Sequence, residues 1–257
     1  MRVVTFDDIV RFALETAGGS KSRRYVYRKY VKRLVEGEKL QPIRKGLYAV
    51  LNPFEKPDRR ETEKLLIASK VRKDYYLGFH TALEYYGCAY SAFNEAYVCV
   101  RAKDRFDRFS CGRFAFEPVF VTDLQSHIVE KPYGQSFLRV SSKERTFVEC
   151  VDRVQYAGGW EECIKSLAEL GGIDFEELVG LTLARRKQVL VRKVGYFLEL
   201  LRGRSPFYEH VGRDLLEQLA SRVKGSPQYL VREESGEISE KWRLYVPAGL
   251  EQKLRGI

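Results

Sequence analysis

The stretch SKSRRYVYRKYVKRLVEGEKLQPIRKGLYAV, residues 20–50, decides how the beginning of this chain folds. Its apolar and aromatic side chains recur at intervals of three and four residues, a spacing typical of an amphipathic helix. Reading residues 22–36 at 100° per residue places six of them on one face and four cations on the opposite face. The six are Val26, Tyr27, Tyr30, Val31, Leu34 and Val35, and the four are Arg28, Lys29, Lys32 and Arg33. We predict a helix with one buried face and one basic face.

Signals for both ends of this helix are present. Ser22 or Ser20 can accept a hydrogen bond as the N-cap, and Gly37 suits the left-handed residue that follows a helix. Residues 40–43 and 47–50 then form two short runs typical of strands. Between them Gly46 can take a positive φ in a tight basic turn. A basic helix should therefore be followed directly by a small basic hairpin.

A helix and hairpin in this order are the outline of a winged helix-turn-helix, a fold that places a helix in the DNA major groove. A basic helix face alone is more often solvated surface. Here the two opposed faces, the two caps and the hairpin coincide, which favours nucleic-acid binding. The tyrosines of the helix are expected to pack rather than to contact bases. The candidate DNA-binding residues are Lys21, Arg23, Arg24, Arg28, Lys29, Lys32, Arg33, Arg44 and Lys45.

An earlier helix is predicted from Thr5 onward. Thr5 and Asp8 have the spacing of a capping box, and apolar residues then repeat at helical intervals until Gly18 and Gly19. A winged helix usually has three helices before its hairpin, whereas the sequence shows two. Either residues 20–36 form two helices, or a later segment completes the core. Residues 1–52 are assigned to this DNA-binding domain.

The distribution of charge separates this segment from the rest of the chain. Residues 1–50 contain 12 basic and 5 acidic side chains, a net charge of +7 out of +10 for all 257 residues. No apolar run approaches the roughly 20 residues that span a bilayer. The five cysteines form no Cys-x-x-Cys pair, which favours buried thiols in a reducing compartment. We expect a cytoplasmic protein with an anionic partner and no membrane association.

Residues 52–58, with two prolines, are predicted to be a linker, and residues 59–257 a larger mixed α/β domain with a helical C-terminal half. The fold class expected for the whole chain is therefore α+β. Helices are predicted at 61–73, 79–86, 143–153, 160–170, 174–185, 189–202 and 206–224. Strands are predicted at 95–101, 113–121, 127–131, 135–140, 229–231 and 242–246, with an acidic loop at 233–240.

No catalytic, metal or cofactor site is predicted. The three histidines are far apart in sequence, and none has the spacing of a metal motif. The chain has neither a GxxxxGK[ST] nor a GxGxxG phosphate loop. The nearest approach to a nuclease arrangement, Glu61 to Lys64, is better interpreted as solvated charge. We expect that the protein is not an enzyme. Side chains that are far apart in residues 59–257 could still converge on a nucleic-acid-processing site.

Four segments follow one another in a recognisable order along the chain: KGLYAV at 45–50, GFHTALEYYG at 78–87, VSSKERTFVEC at 140–150 and GGWEE at 158–162. Their order resembles that of the AbiEi-like antitoxins, predicted transcriptional regulators of abortive-infection toxin–antitoxin operons. The resemblance covers most of the chain.

The resemblance implies a winged-helix domain joined to a larger domain that neutralises a nucleotidyltransferase-like toxin. It also implies repression of the protein's own operon through double-stranded DNA upstream, with a homodimer on DNA if the site has inverted half-sites. The heavily basic, aromatic helix and the acidic loop near the C-terminus depart from the family. Three alternatives stay open: a nucleic-acid-processing enzyme, a regulator without a toxin, and a module that binds RNA or an acidic protein.

Overall fold

The computed structural model describes residues 2–17, 21–51, 63–231 and 236–250. They form two compact units. The first contains residues 1–76, 94–124 and 131–138, and the second contains residues 77–93, 125–130 and 139–257. This division does not coincide with the predicted domains 1–52 and 59–257, because later strands are compact with the N-terminal segment. The predicted linker at 52–58 lies outside the described residues.

The first unit begins with a three-stranded antiparallel sheet and two helical segments. Strand β1 (Arg2–Thr5) leads into α1 (Phe6–Ala17), and the basic helix then runs as α2 (Arg23–Val26), a π-helical turn (Tyr27–Val31) and α3 (Lys32–Glu36). Strands β2 (Leu40–Arg44) and β3 (Leu47–Val50) follow, and the sheet order is β1-β3-β2. The four residues of β1 were not predicted, because so short a run carries little periodic signal.

The predicted capping box is confirmed at the start of α1. The Thr5 amide and hydroxyl donate to Asp8 Oδ2 at 2.9 and 2.8 Å, and the Asp8 amide donates to Thr5 Oγ1 at 3.1 Å. The core of this segment consists of Val31, Leu40 and Tyr48, against which α1 and the basic helix pack apolar side chains. One cluster therefore joins both helices to the hairpin.

The rest of the first unit contains α4 (Lys64–Lys70), which packs against β1, and a second group of strands. Strand β5 (Glu95–Val100) pairs in parallel with β7 (Phe114–Phe120), and β6 (Phe109–Cys111) pairs antiparallel with β7. A 3₁₀ turn at Ala102–Asp104 connects β5 to β6. Three strands, β4 (Tyr76–Leu77), β8 (Ile128–Tyr133) and β9 (Ser136–Ser141), have residues in both units.

The second unit is predominantly helical, and within it Leu77 of β4 pairs in parallel with Val140 of β9. The other elements of the second unit are α5 (Phe79–Tyr86), α6 (Lys143–Asp152), a 3₁₀ turn (Val154–Ala157), α7 (Gly159–Ala168), α8 (Phe175–Ala184), α9 (Gln188–Arg202), a 3₁₀ turn (Pro206–Tyr208), α10 (Arg213–Ala220), β10 (Gln228–Tyr229), β11 (Gly236–Ser239) and β12 (Leu244–Pro247).

Some of these elements differ from the sequence predictions. Helix α5 has the predicted bounds, because Gly87 ends it with a φ of 72°. Strand β11 lies inside the predicted acidic loop. The predicted helix at 206–224 is divided into a 3₁₀ turn and α10.

The C-terminal strands form a small sheet of order β10-β12-β11 that is anchored on α9. Trp242 is fully buried against Gly195, and its indole N–H donates to Glu199 Oε2 at 2.6 Å. Arg192 is 1% exposed and donates hydrogen bonds to the backbone carbonyls of Lys224, Ser226 and Arg243. The prediction of an α+β fold with a helical C-terminal half is confirmed.

Candidate nucleic-acid interface

The basic helix is continuous from Arg23 to Glu36, and its N-cap is Ser22, whose hydroxyl accepts a hydrogen bond from the Tyr25 amide at 3.2 Å. A π-helical turn interrupts the regular spacing, because the Lys32 amide donates to the Tyr27 carbonyl five residues earlier. Val26 and Val31 are consequently both buried, at 0% and 1% exposure, although they are five residues apart. Turns of this kind occur frequently at functional sites.

The π turn changes which side chains are buried. The prediction that Tyr27 lies on the buried face is wrong, since this side chain is 49% exposed. Tyr25, which precedes the π turn, is 38% exposed. A helical wheel with a constant 100° step cannot anticipate a turn that contains an additional residue.

Six of the candidate DNA-binding residues form the exposed basic surface of this helix. Their ion pairs among the described residues are few: Arg23 Nη1 lies 2.7 Å from Asp7 Oδ1, and Lys32 Nζ lies 3.6 Å from Glu36 Oε1. Both pairs are largely exposed, so they contribute little to stability and compete weakly with an anionic ligand. The six residues are Arg23, Arg24, Arg28, Lys29, Lys32 and Arg33.

Lys21 and Lys29 are grouped around Tyr25 at the beginning of the helix. The two ammonium groups lie 5.6 and 5.3 Å from the centre of the Tyr25 ring, and Lys29 Nζ donates to the Tyr25 hydroxyl at 2.8 Å. This hydrogen bond lowers the pKa of Tyr25 and raises the pKa of Lys29. Tyr30 contacts Tyr25 edge to face, with the ring centres 6.5 Å apart. Lys21 is half-buried, whereas Lys29 is exposed.

The two cations of the β2–β3 turn have different surroundings. Lys45 is exposed, but the Arg44 guanidinium lies 4.5 Å from the Phe109 ring centre and 5.8 Å from that of Phe106. Burial lowers the pKa of Arg44, and the charge of Arg72 lowers it further. Arg44 therefore packs on the aromatic residues of the first unit. This contact could not be predicted from local sequence, because its partners are more than 60 residues away.

A groove lies between the start of the basic helix and the β2–β3 turn, and we name it the Tyr27 groove. Its volume is about 470 Å³. Phe6, Tyr27 and Tyr48 supply the aromatic part of its lining, while Phe6 meets Tyr27 edge to face at 6.2 Å. The Phe6 amide donates to the Gly46 carbonyl at 2.8 Å, which holds the turn against α1. The full lining is Thr5, Phe6, Asp7, Arg23, Arg24, Tyr27, Lys45, Gly46 and Tyr48.

The predicted turn glycine is confirmed in this groove. Gly46 has a φ of 79°, a left-handed conformation that side chains rarely adopt. The groove thus brings together three of the candidate residues, Arg23, Arg24 and Lys45. Its aromatic lining was missed, because Phe6 and Tyr48 are distant in sequence and Tyr27 was assigned to the buried face.

Two titratable clusters of the second unit are buried packing contacts. His80 is fully buried, stacks on Phe93 at 3.8 Å and lies 3.1 Å from Glu162 Oε1 through Nε2. Arg145 is 3% exposed and donates to Glu149 Oε1 at 2.8 Å. Among the described residues, no group of three or more His, Cys, Asp or Glu is arranged to hold a metal ion. Likewise, none of the helices in the described ranges is both long and apolar enough to cross a membrane.

Comparison with known proteins shows a similar fold. No protein-family model and no curated protein matches the chain. Among solved structures, the chain is similar to the crystal structure of the RV2827C protein from Mycobacterium tuberculosis, with 16% sequence identity and a TM-score of 0.64. The similarity covers 96% of this chain and 86% of that chain. At this identity it shows the fold alone.

Proposed function

We propose that this protein binds double-stranded DNA through the basic helix and Lys45, and that it represses transcription of its own operon. The observation that carries the proposal is the exposed set of six arginine and lysine side chains on one helix, next to a groove with a basic rim. Such a surface neutralises backbone phosphates and releases their counterions, which is the main source of affinity in many DNA complexes.

The topology of the N-terminal segment supports a winged-helix mode of binding. Strand β1, helix α1, the basic helix and the β2–β3 hairpin follow one another, with the strands in the order β1-β3-β2. On this proposal the basic helix acts as the recognition helix and the β2–β3 turn acts as the wing. Helix α4 packs against β1, and on this proposal it serves as the third helix of the fold. On this proposal Arg28, Lys29, Lys32 and Arg33 enter the major groove.

The role that we propose for each candidate residue in DNA binding follows from its exposure. Arg23, Arg24 and Lys45 contact phosphates, since they lie at the rim of the Tyr27 groove. Lys21 and Lys29 add positive charge around Tyr25. Arg44 contributes by holding the turn through its contact with Phe109. A homodimer would place two such surfaces on inverted half-sites.

We extend the proposal to an antitoxin role on the resemblance to AbiEi-like antitoxins. In that role the second unit neutralises a nucleotidyltransferase-like toxin encoded in the same operon. The test is co-expression with the product of a neighbouring nucleotidyltransferase-like gene, where growth should be restored by this protein. Growth arrest that persists would limit the function to regulation.

A gel-shift titration against the protein's own upstream DNA and a scrambled duplex tests DNA binding. We expect preference for the upstream DNA at two salt concentrations. Arg28→Ala plus Lys32→Ala should weaken binding to both duplexes. Each lost phosphate contact should reduce the steepness of the fall of log K with log salt by about 0.9. The measurement is the affinity of both proteins over a series of salt concentrations.

Arg213→Ala plus Arg222→Ala is the matched control, because it removes two exposed cations from the second unit. Its salt slope should equal that of the wild type. A slope that is unchanged in Arg28→Ala plus Lys32→Ala, or lowered equally in both double variants, contradicts the proposed surface.

A further inference from the structure

The Tyr27 groove combines two chemical features that a phosphate contact alone does not require. Its aromatic part is half-open, because the Tyr27 ring is 49% exposed while Tyr48 beneath it is 7% exposed. Its rim carries the exposed cations Arg24 and Lys45. An exposed ring beside two cations complements a ligand that has both a flat aromatic group and an anionic group.

We propose that the Tyr27 groove binds one unstacked nucleotide, with its base against Tyr27 and its phosphate beside Arg24 and Lys45. Aromatic side chains in basic grooves bind unpaired bases in this way without reading their sequence, because every base has a π-face. The nucleotide can come from the end of a bound DNA strand or from free mononucleotide. The first source rests on the proposed function, whereas the second does not.

The size of the groove agrees with this ligand. Its volume of about 470 Å³ lies within the range of roughly 300–1,000 Å³ found for small-molecule sites. The opening lies between a helix and a hairpin turn, and the hydrogen bond from Phe6 to Gly46 holds the turn against α1. The groove is present without a ligand, which reduces the entropic cost of binding.

Charge within the groove favours an anion at the rim. Asp7 is a carboxylate of the lining, and it lies 2.7 Å from Arg23, so that its charge is balanced. The Arg23 guanidinium also lies 4.9 Å from the centre of the Phe6 ring. Arg23 and Asp7 together form a wall of low net charge, and Arg24 and Lys45 supply the positive charge for the phosphate.

The test compares two duplexes that carry the same number of phosphates. One ends in a two-nucleotide dA overhang, and the other ends in an overhang of two abasic nucleotides. We expect the full-length protein to bind the first at least about fivefold more tightly, because only that overhang has bases to stack. The ratio of the two affinities cancels every contact that is purely electrostatic.

Variants of two tyrosines on the same helix test whether the difference in affinity between the two duplexes depends on Tyr27. Tyr27→Ala should reduce the ratio to about one, and Tyr27→Phe should keep it, because the ring is retained. Tyr25→Ala is the control, since Tyr25 is an exposed tyrosine outside the groove lining. Its ratio should match that of the wild type. In a second arm, equilibrium dialysis measures dAMP, deoxyadenosine and deoxyribose 5-phosphate binding to the same proteins.

The outcomes separate this inference from the proposed function. Binding of dAMP that is lost in Tyr27→Ala supports the groove even if no duplex binds. Duplex binding with an affinity ratio of one, together with no Tyr27-dependent dAMP binding, overturns the nucleotide site and leaves the DNA proposal intact. A ratio above one that persists in Tyr27→Ala also overturns it.

Discussion

At the scale of single residues, the basic helix ends with a non-glycine residue, Glu38, in the left-handed conformation. The Lys39 amide donates to the Leu34 carbonyl at 2.8 Å, and the Glu38 amide donates to the Val35 carbonyl at 3.1 Å. These two bonds form a Schellman motif, in which the left-handed residue is normally glycine. Here Gly37 has a φ of −89° and Glu38 has a φ of 53°. The prediction of a left-handed Gly37 is wrong by one residue.

Glu38→Gly should therefore raise the free energy of unfolding by about 1 kcal/mol, since it removes the cost of a side chain in the left-handed region. Urea denaturation measures the change. Glu36→Gly is the matched control, because it removes the same charge from the last residue of α3. It should lower stability by about 1 kcal/mol. An equal effect of both variants would exclude backbone strain at Glu38.

Arg44 and Lys45 show why adjacent candidate residues acquire different roles. They are adjacent in sequence, but Arg44 is the last residue of β2 and Lys45 lies in the turn, so their side chains have different surroundings. Arg44 meets Phe109 and Phe106, and Lys45 stays in solvent at the groove rim. A turn that is rich in cations thus predicts surface charge without showing which cation stays in solvent.

At the scale of elements, α9 contains a notch that holds the C-terminal strands. A Cβ added at Gly195 would overlap the six-membered ring of Trp242, which is fully buried. Lys241 pairs with Glu199 at 2.9 Å beside this contact, so the segment is fixed by both packing and charge. Gly195 is therefore required by close approach rather than by helix formation.

Gly195→Ala should lower the free energy of unfolding by roughly 1–3 kcal/mol, because overpacking displaces the indole. The measurement is chemical denaturation followed by tryptophan fluorescence. Gly180→Ala on α8 is the control, since an added Cβ there meets no atom within 4 Å. It should gain up to about 1 kcal/mol from helix propensity. A gain in both variants would contradict the notch.

Elements with clear local signals could be predicted from sequence. Helix α5 was predicted at its observed bounds, since Gly87 provides a glycine stop, and β2 and β3 were predicted because the Lys45–Gly46 turn separates two apolar runs. Strand β1 and the two-residue β4 depend on partners elsewhere in the chain. The π turn was missed because local spacing does not show that Val26 and Val31 are both buried in the folded core.

At the scale of the whole molecule, pH should act on stability through Glu162. Burial raises its pKa, but hydrogen bonds from the Ser91 amide, His80 and Ser166 outweigh burial, and the pKa is lowered below 4.5. A lowered carboxyl pKa gives stability that is present above the pKa of the unfolded chain. This stability is lost as the pH falls through the lower pKa of the folded protein. Glu84 also faces His80, at 3.6 Å.

Glu162→Gln should be less stable at neutral pH by roughly 2 kcal/mol, because hydrogen bonds to a charged acceptor are replaced by weaker ones. The difference from wild type should shrink as the pH falls from the ordinary carboxyl pKa of 4.5 through the lower pKa of the folded protein, below which the wild-type carboxylate is protonated. Urea denaturation at a series of pH values measures it. A difference in the free energy of unfolding that is constant with pH would mean that the charge of the Glu162 carboxylate contributes nothing to stability.

The candidate site was predictable in its charge but not in its shape. Residues 20–50 contain eight of the ten net positive charges of the chain, and this excess is visible in sequence. The Tyr27 groove requires Phe6, Tyr27 and Tyr48 to meet across three elements. Such contacts arise from tertiary packing, which local patterns do not encode. The 16% identity with a solved structure of similar fold likewise shows that different sequences reach this architecture.

The π turn in the basic helix has a consequence for the descent of this protein. In a regular α-helix Val26 and Val31 would be about 140° apart, whereas residues four apart lie nearly in line. Loss of one residue between them would restore a regular helix and keep both valines in the core. We therefore expect alignments of future relatives to place a one-residue gap within Tyr27–Val31. Lineages on either side of that gap would display their cations in different registers around the helix.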